Sequence, residues 1–386
     1  MPTGGEVVQG DITGITDSTI ASGGTINVNG SGLINWNAFN IANGESLTYA
    51  FSNPGTLINH VTGEEMSQIL GTLSSTGNGN LWLINPNGIL IGPNAQINTS
   101  SLVLSTLNAT DDMLKGFLNG NDLILTGKDA TKGIEIQSGA KIDVENALNI
   151  LGGHIQIADN VTVSSSVANA VPMSSVIAAN KVVLNNDNLA EVQTTEGNDV
   201  QIGRAVFNMG NTLSDNYIIG NNVSLTNSQF NLKDAQQLNS ALDIIAANHV
   251  KYDDEQMHLS VNPDNSLTLK GVNATTNYMH VIGGKTDIDS SNLTLSKAQG
   301  TEGDAVPYMT IAALNGDNVL IDADEEIYNM ANTGGTALTI KGSELNSSQN
   351  IALYGNSVAL TDTKLQTSES NENNSSLQLL RHNKIT

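Results

Sequence analysis

From residue 147 onward the chain is governed by a loose repeat: an apolar run closing on a small residue or asparagine, then alternating segments separated by a polar turn. Seven copies can be read, at residues 148–153, 176–180, 217–221, 244–248, 280–284, 311–315 and 351–356. The residues that close the first five, Gly152, Ala179, Gly220, Ala247 and Gly283, lie 27, 41, 27 and 36 positions apart. A unit of this size cannot bury its apolar stripe alone, whereas stacked copies bury it continuously. The wandering spacing then places insertions outside the stack. With roughly 25 residues per coil and about 4.8 Å of rise, the chain would form on the order of 12–15 coils in a rod of about 60–70 Å.

Composition agrees with a narrow interior. Hydrophobic residues make up 39% of the 386 positions but aromatic residues only 4%, which suits a core of Val, Ile, Leu and Ala. Much of the remainder is Gly, Asn, Ser and Thr, the residues of turns and side-chain ladders, so helices should be few. Lys and Arg number 15 against 38 acidic residues, a net charge of −23 that repels nucleic acid and anionic membranes. The chain has no cysteine, which suits export as an unfolded thread through an oxidising compartment. No run approaches transmembrane length, and no charged-then-apolar leader opens the chain, which therefore reads as a mature or cloned segment.

The N-terminal stretch, to about residue 110, is turn-dense strand. At residues 80–98, Leu81 and Leu83, then Ile89 and Ile91, form two alternating runs around Asn85-Pro86-Asn87-Gly88, a tight turn in which Pro presets φ and Asn-Gly tolerates φ > 0. Gly92-Pro93-Asn94 turns the chain again seven residues later. Residues 67–71 and 111–117 read equally as a helical turn or a short strand. Residues 233–242 carry Ala235, Leu238, Ala241 and Leu242 at helical spacing and read as a short helix on an external loop. Residues 368–376 are polar and of low complexity.

These segments resemble the N-terminal secretion domain of two-partner-secretion exoproteins, the filamentous-haemagglutinin and high-molecular-weight adhesin family. The resemblance rests on the start at residues 1–5, on residues 33–41, on Val61-Thr62-Gly63 with residues 67–71, and on Asn85, Pro86, Asn87, Gly88 and Ile89, which match the family's Asn-Pro-Asn-Gly-Ile motif. It covers about residues 3–118 and is closest to the high-molecular-weight adhesin and haem–haemopexin-binding branch. The family's second motif, Asn-Pro-Asn-Leu, is missing; Asn53-Pro54-Gly55-Thr56 is the nearest string. The resemblance implies an all-β, right-handed parallel β-helix with an N-terminal cap and extra-helical hairpins or loops. It divides the chain into a cap and secretion region at 1–118, continuing coils at 119–366 and a polar tail or boundary at 367–386. It further implies a cognate outer-membrane β-barrel transporter whose POTRA domains read the chain in the periplasm, with folding at the cell surface or beyond. Residues 85–89 are the expected secretion motif, either as a partner contact or simply as a good β-turn.

The rival readings are a haem- or host-protein-acquiring exoprotein or a contact-dependent toxin carrier bearing the same domain, and a carbohydrate-active β-helix enzyme. For the enzyme, Asp287-x-Asp289, Asp322-x-Asp324 with Glu325-Glu326, and Asp253-Asp254-Glu255 could pair carboxylates or hold calcium, yet acidic turns are common on solvation grounds alone. Arg204 and Arg381 are the only arginines, a poor provision for neutralising an acidic polysaccharide. The six histidines lack metal spacing, and no phosphate loop or nucleophile elbow occurs. His154 and His249 occupy the same repeat position. The sequence therefore reads as a non-enzymatic, monomeric secretion and fold-nucleating domain of a large exported adhesin. It takes no cofactor, metal or nucleic acid, and any host glycan or protein is met through the full-length exoprotein.

Overall fold

The computed structural model describes residues 1–386 except 21–22, 166–173, 187, 210–214, 233–239, 255, 297–307, 332–335, 348–349, 368–376 and 382–386, with backbone only for 377–381. Alternation of period two becomes coils of three short strands. One coil runs Ser67–Ile69, Thr72–Thr76, Gly79–Ile84, and the next Ile89–Ile91, Gln96–Thr99, Ser101–Ser105. Successive coils pair in parallel and in register, Ile69 with Ile91, Leu73 with Ile97 and Leu83 with Leu104. The side chains that point inward are therefore stacked like on like. The result is a parallel β-helix with three faces: the first holds Thr72–Thr76 and Gln96–Thr99, the second Gly79–Ile84 and Ser101–Ser105, and the third Ser67–Ile69 and Ile89–Ile91. Among the described residues the third face has ten strands, and the first two are joined through the long strand Thr25–Trp36 into one sheet of 24.

The repeat read from sequence is the register of the second face. Its apolar centres stack in an unbroken ladder, Ile150 on Val176, Ile218, Ile244, Val281, Ile311 and Leu353. Runs such as Ser174–Ala178 are buried at every position because this face is covered on both sides. Inside lies the β-helix core; outside lies a second apolar core including Leu151, Ile177, Ile219, Ile245 and Ile282. The outer cover is the helix Asp111–Leu118 and a seven-stranded antiparallel sheet, hereafter the flank.

The flank is laid down by alternate coils. After the second-face strand, Asn85-Pro86-Asn87-Gly88, Gly152-Gly153, Gly220-Asn221, Gly283-Gly284 and Gly355-Asn356 lead straight to the third face. The intervening coils end in Thr106-Leu107-Asn108, Ala178-Ala179-Asn180, Ala246-Ala247-Asn248 and Ala313-Leu314-Asn315, and leave for the flank instead. Sterics separate the two kinds of corner. At the direct corners a Cβ on Gly152, Gly220, Gly283 or Gly355 would lie 3.0, 2.8, 3.1 or 2.9 Å from the carbonyl oxygen two residues on. The alternation also has a geometric reason. A hairpin is two strands wide, about 9.6 Å, which equals the rise of two coils at about 4.8 Å each. One hairpin per two coils keeps the flank continuous.

The N-terminal end is closed by Glu6–Thr13, which pairs antiparallel with Thr25–Trp36 and covers an edge that would otherwise offer unpaired backbone to other chains. Beneath it Trp36 and Tyr49 are fully buried, and both donate to one acceptor: Trp36 Nε1 and the Tyr49 hydroxyl lie 2.9 and 2.6 Å from Asn59 Oδ1. The Asn59 amide nitrogen donates in turn to the Trp82 carbonyl at 3.1 Å. Burial pushes the Tyr49 phenol well above its ordinary value, the Asn59 bond only partly opposing it. Asn59→Leu is expected to destabilise the first coils by about 2–4 kcal/mol, because two buried donors lose their acceptor. Denaturant unfolding followed by tryptophan emission checks it, since Trp36 and Trp82 both lie in this region.

Several expectations are settled locally. Residues 67–69 form a strand and Asp111–Leu118 a helix, capped by Thr110, whose hydroxyl accepts from the Met113 amide at 3.3 Å. The alternating segment at 181–184, which follows the second copy of the repeat, belongs to the flank hairpin Lys181–Asn185 and Asn188–Gln193 and not to a coil. For the same reason His154, after a glycine corner, and His249, after an Ala-Ala-Asn corner, are not equivalent. His154 Nδ1 lies 2.7 Å from the Ala130 carbonyl oxygen, while His249 lies in the flank, its Nε2 2.8 Å from Glu191. Of the helix expected at 233–242, residues 233–239 lie outside the described residues, while Ala241 and Leu242 are not helical but open the coil strand Ala241–Ala246, where Leu242 turns into the core. The polar stretch at 368–376 also lies outside the described residues.

Candidate functional site

Asn85 stands where the chain leaves the second face, its amide nitrogen bonded to the Ser105 carbonyl of the following coil at 2.8 Å. Its side chain is fully buried and saturated. Nδ2 donates to the Glu65 carbonyl and to Ser67 Oγ, both at 2.9 Å, while Oδ1 accepts from the Asn87 backbone amide and from Asn87 Nδ2, each at 3.0 Å. Asn87 Nδ2 also donates to the Gly63 carbonyl at 2.8 Å. Pro86 presets the bend, and Gly88, at φ 130°, adopts a conformation that a side chain disfavours. Its amide closes the turn on the Asn85 carbonyl at 3.2 Å.

Ile89 is buried in the core ladder, between Ser67 and Ile134. The motif therefore staples three coils: inward through Ile89, back through Gly63, Glu65 and Ser67, and forward through Ser105 and Gly133, whose carbonyl accepts from the Ile89 amide at 3.1 Å. Its solvent side shows Met66, 40% exposed, with Pro86 and Asn87 half-buried.

The structure also gathers the other segments that carried the resemblance. Gly63 packs so closely on the Asn37 carbonyl that no Cβ fits, and the Thr62 amide donates to the Trp36 carbonyl at 2.8 Å. Residues 33–41, 61–63, 67–71 and 85–89 thus meet at one corner of the early coils. The hydrogen-bond partners Gly63, Glu65 and Ser67 were not readable as such. Their carbonyls and hydroxyl find Asn85 and Asn87 only because one coil lies beneath the next.

The acidic strings are dispersed. Asp287 and Asp289 share the outward side of one strand, Lys285 Nζ lying 3.6 Å from Asp287. Asp253 lies 3.9 Å from Lys251 Nζ, and Asp322 Oδ1 accepts the amides of Asp324 and Glu326 in a hairpin turn at 3.0 and 2.9 Å. Among the described residues no group of three or more His, Asp or Glu is arranged to hold a metal ion.

The model of the TPS secretion domain family matches residues 2–225. The chain belongs to that family. This TPS domain is 35% identical over 133 residues to a heme/hemopexin-binding protein of Haemophilus influenzae, a stretch that is 33% of this chain and 14% of that protein. In three dimensions the TPS domain is similar to the HMW1 secretion domain from Haemophilus influenzae, with a TM-score of 0.58 over 96% of this chain and 100% of that one. At 18% identity this second likeness is one of fold. Family and fold are those of the secretion domain of an exoprotein.

Proposed function

We propose that this chain is the export address and folding nucleus of a larger exoprotein, recognised in the periplasm by the POTRA domains of a dedicated outer-membrane β-barrel transporter. The observation that carries the reading is the inward use of the Asn85 and Asn87 amides. The Asn85 side chain so placed is unavailable on the folded surface, and the Asn87 amide is committed to Gly63 and Asn85, so a partner that reads both meets the chain before the corner closes. Once outside, each coil that stacks buries apolar surface worth about 25 cal/mol per Å², which favours outward movement without a nucleotide. The cell-surface role, whether adhesion to a host glycan or protein, or haem acquisition as the name of the Haemophilus relative suggests, then belongs to the full-length exoprotein.

The test is capture by the purified periplasmic part of the cognate transporter, using the chain held unfolded in mild urea and the chain after refolding. Unfolded chain is expected to bind at least tenfold more tightly than folded chain. Equal capture of both would refute recognition ahead of folding.

A further inference from the structure

The −23 charge of the chain makes one buried cation conspicuous. His280 points outward from the second-face strand Tyr278–Gly283 into the space under the flank and is 8% exposed. Its Nδ1 lies 2.7 Å from Asp243 Oδ1 on the neighbouring strand, and its Nε2 lies 2.9 Å from Glu325 Oε2 in the turn between the flank strands Gly316–Ile321 and Ile327–Tyr328. Each carboxylate has a further donor. The Tyr252 hydroxyl, from another flank hairpin, reaches Asp243 Oδ2 at 2.8 Å, and Thr310 Oγ1, one coil on, reaches Glu325 Oε2 at 2.8 Å.

A neutral imidazole has one N–H; two carboxylate acceptors, one at each ring nitrogen, require the imidazolium. Two further observations say what the arrangement holds. Glu325 sits at φ 64°, the left-handed position of a hairpin turn that its amide closes on the Asp322 carbonyl at 3.0 Å, which aims its side chain back toward the β-helix. The strand Ile327–Tyr328 is short, pairing Leu320 with Tyr328 and Ile321 with Ile327, and is continued by one backbone bond on each side, Asp322 to Glu326 and Ala331 to Asn315.

We propose that Asp243, His280 and Glu325 form an ionic clasp that fastens the excursion at residues 316–328, the last among the described residues, to the outside of the β-helix. Its parts come from three successive coils through Asp243, His280 and Thr310, so it closes only when all three have stacked. The clasp thereby couples completion of the inner stack to closure of the outer sheet. Burial opposes charge on His280, yet Asp243 and Glu325 prevail and raise the imidazole to about 10. The other groups facing it are Asp215, whose carboxyl burial and Asp243 push up, and the Tyr217, Tyr252 and Tyr308 phenols, raised by burial and the same carboxylates. Because the folded value lies above the unfolded one, near 6.5, the clasp contributes fully below pH 6.5 and is lost as pH rises through about 10.

The test uses the whole chain with 15N-labelled histidine. At pH 8 both ring nitrogens of His280 are expected to carry protons; a neutral tautomer at that pH overturns the proposal. Glu325→Gln is expected to displace that signal, which assigns it without requiring His280→Gln to fold. At pH 7 the same variant should speed hydrogen exchange of the Tyr328 amide, which pairs with Leu320, at least tenfold, leaving the hairpin of residues 181–193 unchanged. Unaltered exchange at Tyr328 overturns the clasp.

Discussion

Asn85→Ala is expected to loosen the N-terminal coils by about 2–4 kcal/mol and, in cells carrying the cognate transporter, to cut export below a tenth of the unmodified level. The first effect follows from the four hydrogen bonds of a fully buried amide. Alanine leaves the Glu65 carbonyl, Ser67 Oγ and the Asn87 amide without these partners, in a corner that solvent reaches poorly. The second effect follows from the proposed function, and the two separate cleanly. Asn59→Leu is matched to Asn85→Ala in stability but lies inside the β-helix, away from the turn. Export that falls for Asn85→Ala and survives for Asn59→Leu identifies recognition of the motif. Export that tracks stability alone in both variants would leave residues 85–89 as a turn and nothing more, and would sink the secretion-motif reading.

Gly284→Ala should produce the largest structural defect available from a single added methyl. Its Cβ would coincide with the Asn262 carbonyl oxygen, with Pro263 Cα 3.0 Å away, and backbone cannot yield as a side chain end can. The corner is pinned on both sides, the Gly284 amide bonded to the Asn265 carbonyl at 2.8 Å and the Leu314 amide to the Gly283 carbonyl at 2.8 Å. A cost of about 3 kcal/mol or more is expected. In a stack of repeats the loss is local, so hydrogen exchange is the suitable reading. Amides of Ser266–Lys270 and Lys285–Asp289 should lose protection while those of the early coils keep theirs. Full protection in the variant would show that the corner is looser than its contacts.

Much of this molecule is legible without coordinates. The apolar runs at 148–153, 176–180 and their successors mark strands that stack in register, because in a parallel ladder each inward residue meets its own kind one coil away. Their continuity, Ile-Leu-Gly or Ile-Ala-Ala rather than strict alternation, already signals burial on both sides. Asn85 to Ile89 read as a turn on local grounds, and the turn is there.

Other features escaped. The strand at 181–184 and the coil strand at 155–157 share the same alternating pattern, which says that a segment is extended and half-buried but not against which sheet. His280 gave no signal of its own, since Asp243 and Glu325 lie 37 and 45 residues from it in the chain. The short-range chemistry of the backbone, its turns, alternation and the sterics of glycine, is a property of neighbours in sequence and was determined there. The partners of the Asn85 amide, the destination of each excursion and the charge on His280 depend on neighbours one or more coils away, and only the stacking of those coils decided them.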